Sequence, residues 1–280
     1  MTMPAPVRKD PAGCPIEARA QRIRRLALEM VTRARASHIG SALSIADVVA
    51  ALYGEVMRVD PADPDWEARD RLLLSKGHAC VIVYAALADA GFFPLNRLET
   101  YAQDGSDLMS HISHKVPGVE FSTGSLGHGL PFGTGKALAA KKRGRDWRTF
   151  VILGDGEMAE GSNWEAMLFA AHHRLDNLVG IIDYNKLQSL TTVEHTLRIE
   201  PLAEKIAAFG WSVREVDGHD VRAIADALSG APWEAGKPSM LIAHTIKGKG
   251  VSFMENQVAW HYRNPSEEQL AQAIAELGDA

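Results

Sequence analysis

Between Phe150 and Leu187 the chain reads FVILGDGEMAEGSNWEAMLFAAHHRLDNLVGIIDYNKL, and no other stretch narrows the fold as much. The apolar run Phe150 to Leu153 suits a buried parallel strand. Gly154 and Gly156 bracket Asp155, so the backbone there can turn sharply and come close to a ligand. Met158 to Arg174 is expected to be a helix, and Leu178 to Ile182 a second buried strand. A right-handed crossover brings both strand ends to the same edge of a parallel sheet. Asp155 and Asn185 are therefore expected to converge, although 29 residues separate them. A carboxylate and an amide oxygen beside a glycine turn suit a hard cation that also holds a diphosphate: Mg²⁺, with Ca²⁺ or Mn²⁺ as substitutes. GDG alone reads more readily as a plain tight turn, because such turns are common, and Asn185 as a strand-end cap. The pair at this spacing, ending DYNK, is the more specific signal.

Composition sets the outer bounds. A chain of 280 residues is ample for one large α/β domain and could hold two. A net charge of −5 argues against general nucleic-acid binding. The densest basic stretch (Arg19, Arg22, Arg24, Arg25, Arg33, Arg35) reads as a solvated helix face. Cys14 and Cys80 lack CxxC spacing, which suggests a reducing compartment without structural disulfides. The N-terminus has no apolar signal core and no run approaches membrane-spanning length, so no membrane association and a cytoplasmic location are expected.

Along the chain, residues 1–14 read as a flexible Pro/Ala-rich arm and 15–280 as one domain. Ile16 to Ala36 has helical spacing. After a break at Ser37–Ser41 a helix is expected from Ser44, with Asp47 completing a box-like cap. Arg58 to Asp70 reads as a surface loop. Arg71 to Leu74 reads as a strand, with a helix from Ser75-Lys76-Gly77-His78 that Gly91 closes. Asp104 to Ser125 has no period, and a loop of that length in a compact domain points to function. Gly124 to Arg143 is read as a helix carrying Gly127, Gly129, Gly133 and Gly135. Each glycine costs a helix about 1 kcal/mol relative to alanine, so close approach of a neighbour or ligand is expected there. Thr191 to Ile199 reads as a loop. A helix (Pro201 to Phe209), a strand (Trp211 to Val216), a helix (Val221 to Leu228) and a strand (Ser239 to His244) follow, and Ser266 opens a capped C-terminal helix. Alternating strands and helices make a parallel β-sheet sandwiched by helices.

His38, His78 and His128 fall at loop–helix junctions beside glycine, and His111 lies inside the long loop. Junctions at the ends of parallel strands are where ligands bind in such sheets. Singly, each reads more readily as a capping or solvent-facing histidine. Together, several imidazoles around one cavity can hydrogen-bond a polyhydroxylated substrate and move protons. Their spacing is not that of a zinc site.

From Ile16 to Arg263 the chain resembles the N-terminal third to half of transketolase. SHIGSALS, DRLLLSKGHA, GVEFSTGSLGHG, GDGEMAEGSNWEA, DYNK, EPLAEKIAAFGW, VDGHD and HTIKGKG occur in that family's order. The resemblance implies the thiamine-diphosphate-binding fold, specifically the domain that binds the diphosphate half of the cofactor. It implies that Asp155, Asn185 and the Leu187 carbonyl hold the metal, with Gly154, Gly156, Glu157, Gly127, His128 and His78 on the cofactor side. It also implies that His38 and His111 handle the sugar's hydroxyl groups, and that Glu160 belongs to an acidic network linking active sites. His128 stands where many larger members carry Gln. The segment after HTIKGKG resembles one bearing an active-site histidine; His261 is the candidate, although the register alternatively places that position at Val258.

The activity implied is transfer of a two-carbon ketol unit from a ketose or ketose phosphate to an aldose. In the family a following pyrimidine-binding domain supplies the glutamate that activates the cofactor, and nothing after Ala280 supplies it here. The expectation is a catalytic half that works with a separate C-terminal subunit, as an α₂β₂ assembly. A truncated chain without activity of its own, a deoxyxylulose-phosphate-synthase-like or 2-oxo-acid-decarboxylating enzyme, and a non-catalytic homologue are the alternatives. SKGH together with VDGHD favours transketolase over the oxo-acid enzymes.

Overall fold

The computed structural model describes residues 15–278. The proposed arm and Cys14 therefore lie outside the described residues. The chain runs α1 (Ile16–Ala34), α2 (Ile39–Leu43), α3 (Ala46–Ala51), β1 (Arg71–Leu74), α4 (Cys80–Asp89), α5 (Gly129–Lys142), β2 (Thr149–Gly154), α6 (Gly161–His172) and β3 (Leu178–Tyr184). It continues with α7 (Val193–Thr196), α8 (Leu202–Ala208), β4 (Ser212–Asp217), α9 (Val221–Ser229), β5 (Ser239–His244) and α10 (Glu267–Leu277).

All strands pair parallel, in the order β1-β2-β3-β5-β4. Residues of β1, β2, β3 and β5 are almost all buried because both faces are covered, whereas the edge strand β4 exposes Arg214, Glu215 and Asp217. Their alternation divides the core in two. Phe150, Ile152, Val179, Ile181, Leu241 and Ala243 face a cluster built with α1, α3, α4 and α9. Val151, Leu153, Leu178, Ile182, Met240 and Ile242 face α5, α6 and α8. Since the pairing register matches Gly154 with Asp183 and Tyr184 with His244, strands β2, β3 and β5 end level. That common edge positions everything that follows.

The α4 terminus behaves as read: Gly91 takes φ +89, its N–H reaches Ala88 O, and the Phe92 N–H reaches Leu87 O. The C-terminal capping box at Ser266 and Gln269 also forms. Elsewhere the structure corrects the expectations. The helix read over 158–174 is two pieces: a 3₁₀ turn at Gly156–Ala159, then α6, with extended backbone at Glu160 between them. The helix expected from Ser44 begins at Ala46, and a short helix, α2, already occupies Ile39–Leu43 where a break was expected. Asp47 caps nothing, because its carboxylate is taken by Arg24 of α1 and by His219. The glycine-rich helix begins at Gly129, leaving Gly127 outside at φ +80. The 191–199 loop holds the single turn α7, capped by Thr192. Finally, the basic face of α1 is not solvated throughout. Arg19 and Arg24 are buried, paired with Asp89 and Asp47.

Candidate functional site

At the C-terminal ends of β1, β2, β3 and β5 lies a cavity of about 280 Å³. Each strand hands one loop to it: Lys76 follows β1, Asp155 follows β2, Asn185 and Leu187 follow β3, and Lys247 follows β5. This is the edge at which open parallel sheets bind ligands. Hydrogen bonding holds these loops in place. The Asp155 carboxylate accepts the Gly156 N–H at 2.7 Å and the Lys186 N–H at 2.5 Å, tying the β2 turn to the β3 turn. Asn185 Oδ1 accepts the Leu187 N–H at 3.0 Å, and its Nδ2 donates to Asp183 at 3.0 Å. Lys186 takes the left-handed φ of +66 in this turn.

Beneath the cavity floor is a buried polar network centred on Asp183. It pairs with the Lys76 ammonium and accepts hydroxyl bonds from Ser44 (2.7 Å) and Thr245. Burial alone would raise this carboxyl; the Lys76 charge and these bonds outweigh it and hold it below the ordinary carboxylate range. Asp155 is different. Burial, and then the Asp183 charge, push it up to about 7, outweighing the Lys186 and Gly156 N–H bonds and the Lys76 charge. Glu157 is also raised, chiefly by burial. Its carboxylate joins three loops, accepting from the Ser75 hydroxyl, the Gly127 N–H (2.8 Å) and the Gly154 N–H (3.1 Å).

One wall is made of imidazoles. The His38 ring lies 5.2 Å from His78, 5.8 Å from His111 and 5.0 Å from His261, centroid to centroid. The His38 backbone, at φ +74, donates its N–H to His261 O at 2.9 Å. For His38, His78 and His261 burial is the first cause that disfavours the charged ring. It lowers His38 to about 4, helped by His111 and Lys247, and His261 to about 3, helped by Lys247 and His38. His78 is held well below its ordinary value by burial and then by Lys76. Against the His261 end of this wall, Lys247 is lowered to about 8 by burial and Lys76; it donates to the carbonyls of Leu187 and Gln188. The result is a pocket lined by imidazoles, with Lys247 reaching between His261 and the turn that carries Leu187 and Gln188.

Of the residues singled out in the sequence, His38, His78, His111, His261, Gly154, Asp155, Gly156, Glu157, Asn185 and Leu187 line this cavity. Gly127, His128 and Glu160 do not. Gly127 is packed against Ser162 and Glu160, His128 is exposed with Nδ1 turned to Leu126 O, and Glu160 is the exposed residue that opens α6. Val258, the alternative register position, is also outside the lining. Sequence reasoning passed over Lys76, Asp183, Lys247 and Gln188. A lysine flanked by Ser and Gly at the end of an apolar strand, and a charged residue inside the run GIIDY, were the available signals. Gln188 offered none; its Nε2 is buried in the cavity wall beside Gly156 without a protein partner.

A family model described as transketolase, thiamine diphosphate binding domain, matches residues 16–279. The chain is 43% identical over 263 residues to the 6-deoxy-6-sulfo-D-fructose transketolase subunit SqwG of Clostridium sp. (strain MSTE9), covering 94% of this chain and 96% of that one. To an apulose-4-phosphate transketolase subunit of Phocaeicola vulgatus it is 41% identical, covering 94% of each. Among solved structures, transketolase from Leishmania mexicana superposes with a TM-score of 0.88 at 34% identity, covering 95% of this chain. That match takes in 41% of the Leishmania chain, so this chain spans about two-fifths of the longer enzyme.

Proposed function

This chain belongs to the family of transketolase thiamine diphosphate binding domains, and from that membership we propose that it is the diphosphate-binding subunit of a two-chain transketolase. The observation that carries the reading is the meeting, in one cavity, of the buried Asp155 carboxyl with the four-histidine wall. Two features fit the absent cofactor and its metal. The Asp155 carboxyl is disfavoured as an anion until a cation joins it, and Gln188 Nε2 is an orphaned donor beside the glycine turn. Asp155, Asn185 and the Leu187 carbonyl would hold Mg²⁺, with Ca²⁺ or Mn²⁺ as substitutes, as hard cations take oxygen ligands. Gly154, Gly156 and His78 would meet the diphosphate. When bound, thiamine diphosphate supplies the nucleophile that carries a two-carbon ketol unit from a ketose to an aldose.

The chain's own side chains then bind and orient the sugars. His38 and His261 are held neutral around neutral pH, so each of these rings offers one N–H donor and one acceptor nitrogen to hydroxyl groups, and His111 adds a third ring to the same wall. Lys247 keeps a positive charge on the side of the cavity nearest the Asp155 turn, where it favours anions. We read the substrate as a ketose with an anionic end, on the strength of relatives whose names specify a sulfonated and a phosphorylated sugar. Relatives of matching length named as subunits support a separate C-terminal subunit, and we read the assembly as α₂β₂. Cys80 is a free buried thiol, which accords with a cytoplasmic location. No described helix is long and apolar enough to cross a membrane.

Titration calorimetry tests the reading. Thiamine diphosphate with Mg²⁺ should bind the parent, and Asp155→Ala should weaken binding about a hundredfold or more. Equal affinity in parent and variant, or no ketol transfer when the chain is co-expressed with a pyrimidine-domain subunit, would overturn it.

A further inference from the structure

The VDGHD turn between β4 and α9 lies outside the cavity, yet it reaches the loop that enters it. Each residue of the turn is specifically employed. Asp217 Oδ1 accepts the His219 N–H at 2.9 Å, and Asp220 caps α9 through the Arg222 and Ala223 N–H groups. Gly218 is pressed so closely on the end of β5 that a Cβ would sit 2.3 Å from Thr245 Cγ2. This contact brings the His219 ring beside the chain as it leaves the sheet.

The ring bridges two elements. Its Nδ1 lies 2.7 Å from Asp47 Oδ2 on α3, and its Nε2 accepts the backbone N–H of Ile246 at 2.8 Å. Asp47 is buried; burial would raise it, but the bonds from His219 and Arg24 hold it ionised. A carboxylate can only accept, so Nδ1 carries the ring proton and Nε2 presents its lone pair to Ile246. The acceptor is needed there. β5 ends at His244, and Ile246 is two residues beyond the ladder that would otherwise satisfy its N–H. The next residue is Lys247, whose ammonium reaches His261 and the Leu187 and Gln188 carbonyls. The loop has little slack after that, because the Gly248 N–H bonds Gly40 O and the Asn256 N–H bonds Lys247 O.

We propose that His219, oriented by Asp47, is a positioning residue that fixes the loop carrying Lys247 into the cavity. What Lys247 does there rests on the transketolase reading; the clamp itself rests on the geometry of Asp47, His219 and Ile246. Two substitutions separate the ring's halves. His219→Gln places an amide oxygen near the Nε2 position and keeps an acceptor for Ile246, whereas His219→Asn keeps a donor for Asp47 and loses that acceptor.

Hydrogen exchange read by mass spectrometry over peptides spanning residues 245–250 is the deciding measurement. His219→Asn should speed exchange there about tenfold while His219→Gln stays near the parent. With thiamine diphosphate and Mg²⁺ as the probe, calorimetry should show affinity lowered several-fold in His219→Asn and restored in His219→Gln. No difference between the two variants, or a His219→Asn chain that does not fold, would overturn the proposal. A parent that binds no thiamine diphosphate even when co-expressed with a pyrimidine-domain subunit would instead sink the transketolase reading, and the exchange contrast would still decide the clamp.

Discussion

The Lys247 ammonium lies 3.1 Å from His261 Nδ1. An ammonium has only protons to offer, so Nδ1 accepts and the His261 ring proton sits on Nε2. The pairing resists protonation of the ring, adding to burial in bringing His261 down to about 3. Lys247→Met should therefore raise the His261 pKa by a unit or more, read from its imidazole resonances in an NMR titration. A His261 still titrating near 3 in that variant would leave the shift to burial, His38 and Lys76 and remove Lys247 as a cause.

Asp155 sets an opposition between stability and binding. Its carboxyl, pushed up to about 7 by burial and Asp183, favours the fold fully below the unfolded value near 3.8. That contribution is lost as pH rises through 7, where the native state must hold a charge it disfavours. At pH 8, without cofactor or divalent cation, Asp155→Asn should melt higher than the parent by several degrees. Adding thiamine diphosphate and Mg²⁺ should reverse the order, raising the parent's melting temperature and leaving the variant's unchanged. A variant that melts lower than the parent under both conditions would show that the Gly156 and Lys186 bonds matter more than the charge.

The histidine wall acts with the opposite sign. His38 and His261 are lowered to about 4 and about 3, so their stabilisation is present above the ordinary value of 6.5. It is lost as pH falls from 6.5 toward those folded values, since the unfolded rings take up protons first. Each partly exposed ring should account for about 1–2 kcal/mol after allowance for solvent screening. The parent should lose stability between pH 6.5 and 4 more steeply than His38→Asn/His261→Asn, compared by denaturant melts at each pH. Parallel curves would mean that both rings titrate normally in the folded chain.

Much of this was legible from residue order alone. The strands at Arg71–Leu74 and Ser239–His244 fall where the apolar runs stop, and the GDG…N spacing leads to one edge because a parallel crossover leaves no alternative. His38, His78 and His111 meet because their loops all leave that edge or fold over it. His128 shared the same local pattern yet faces solvent, since a loop–helix junction does not say which way a side chain turns. Arg24, Asp47, Lys76 and Asp183 were hidden for a different reason. Charged residues read as surface until a partner is seen, and each partner here lies 23 or 107 positions away in sequence. No local period can report such a pairing.

The glycines of α5 show the same limit and allow a clean test. The pattern implied one cause for all of them, but their surroundings differ. A Cβ on Gly133 would lie 2.6 Å from Val151 Cγ2, a side chain of β2 with no exposure and no room to shift. On Gly135 a Cβ would meet nothing within 4 Å. Helix propensity favours alanine at both positions by about 1 kcal/mol. At Gly133 that gain is outweighed, because forcing a methyl into a packed helix–sheet contact costs about 1–3 kcal/mol. Gly135→Ala should thus raise stability by about 0.5–1 kcal/mol and Gly133→Ala should lower it, measured by urea denaturation. Equal gains at both positions would mean that α5 can lift away from β2, and that close packing is not what requires glycine at 133.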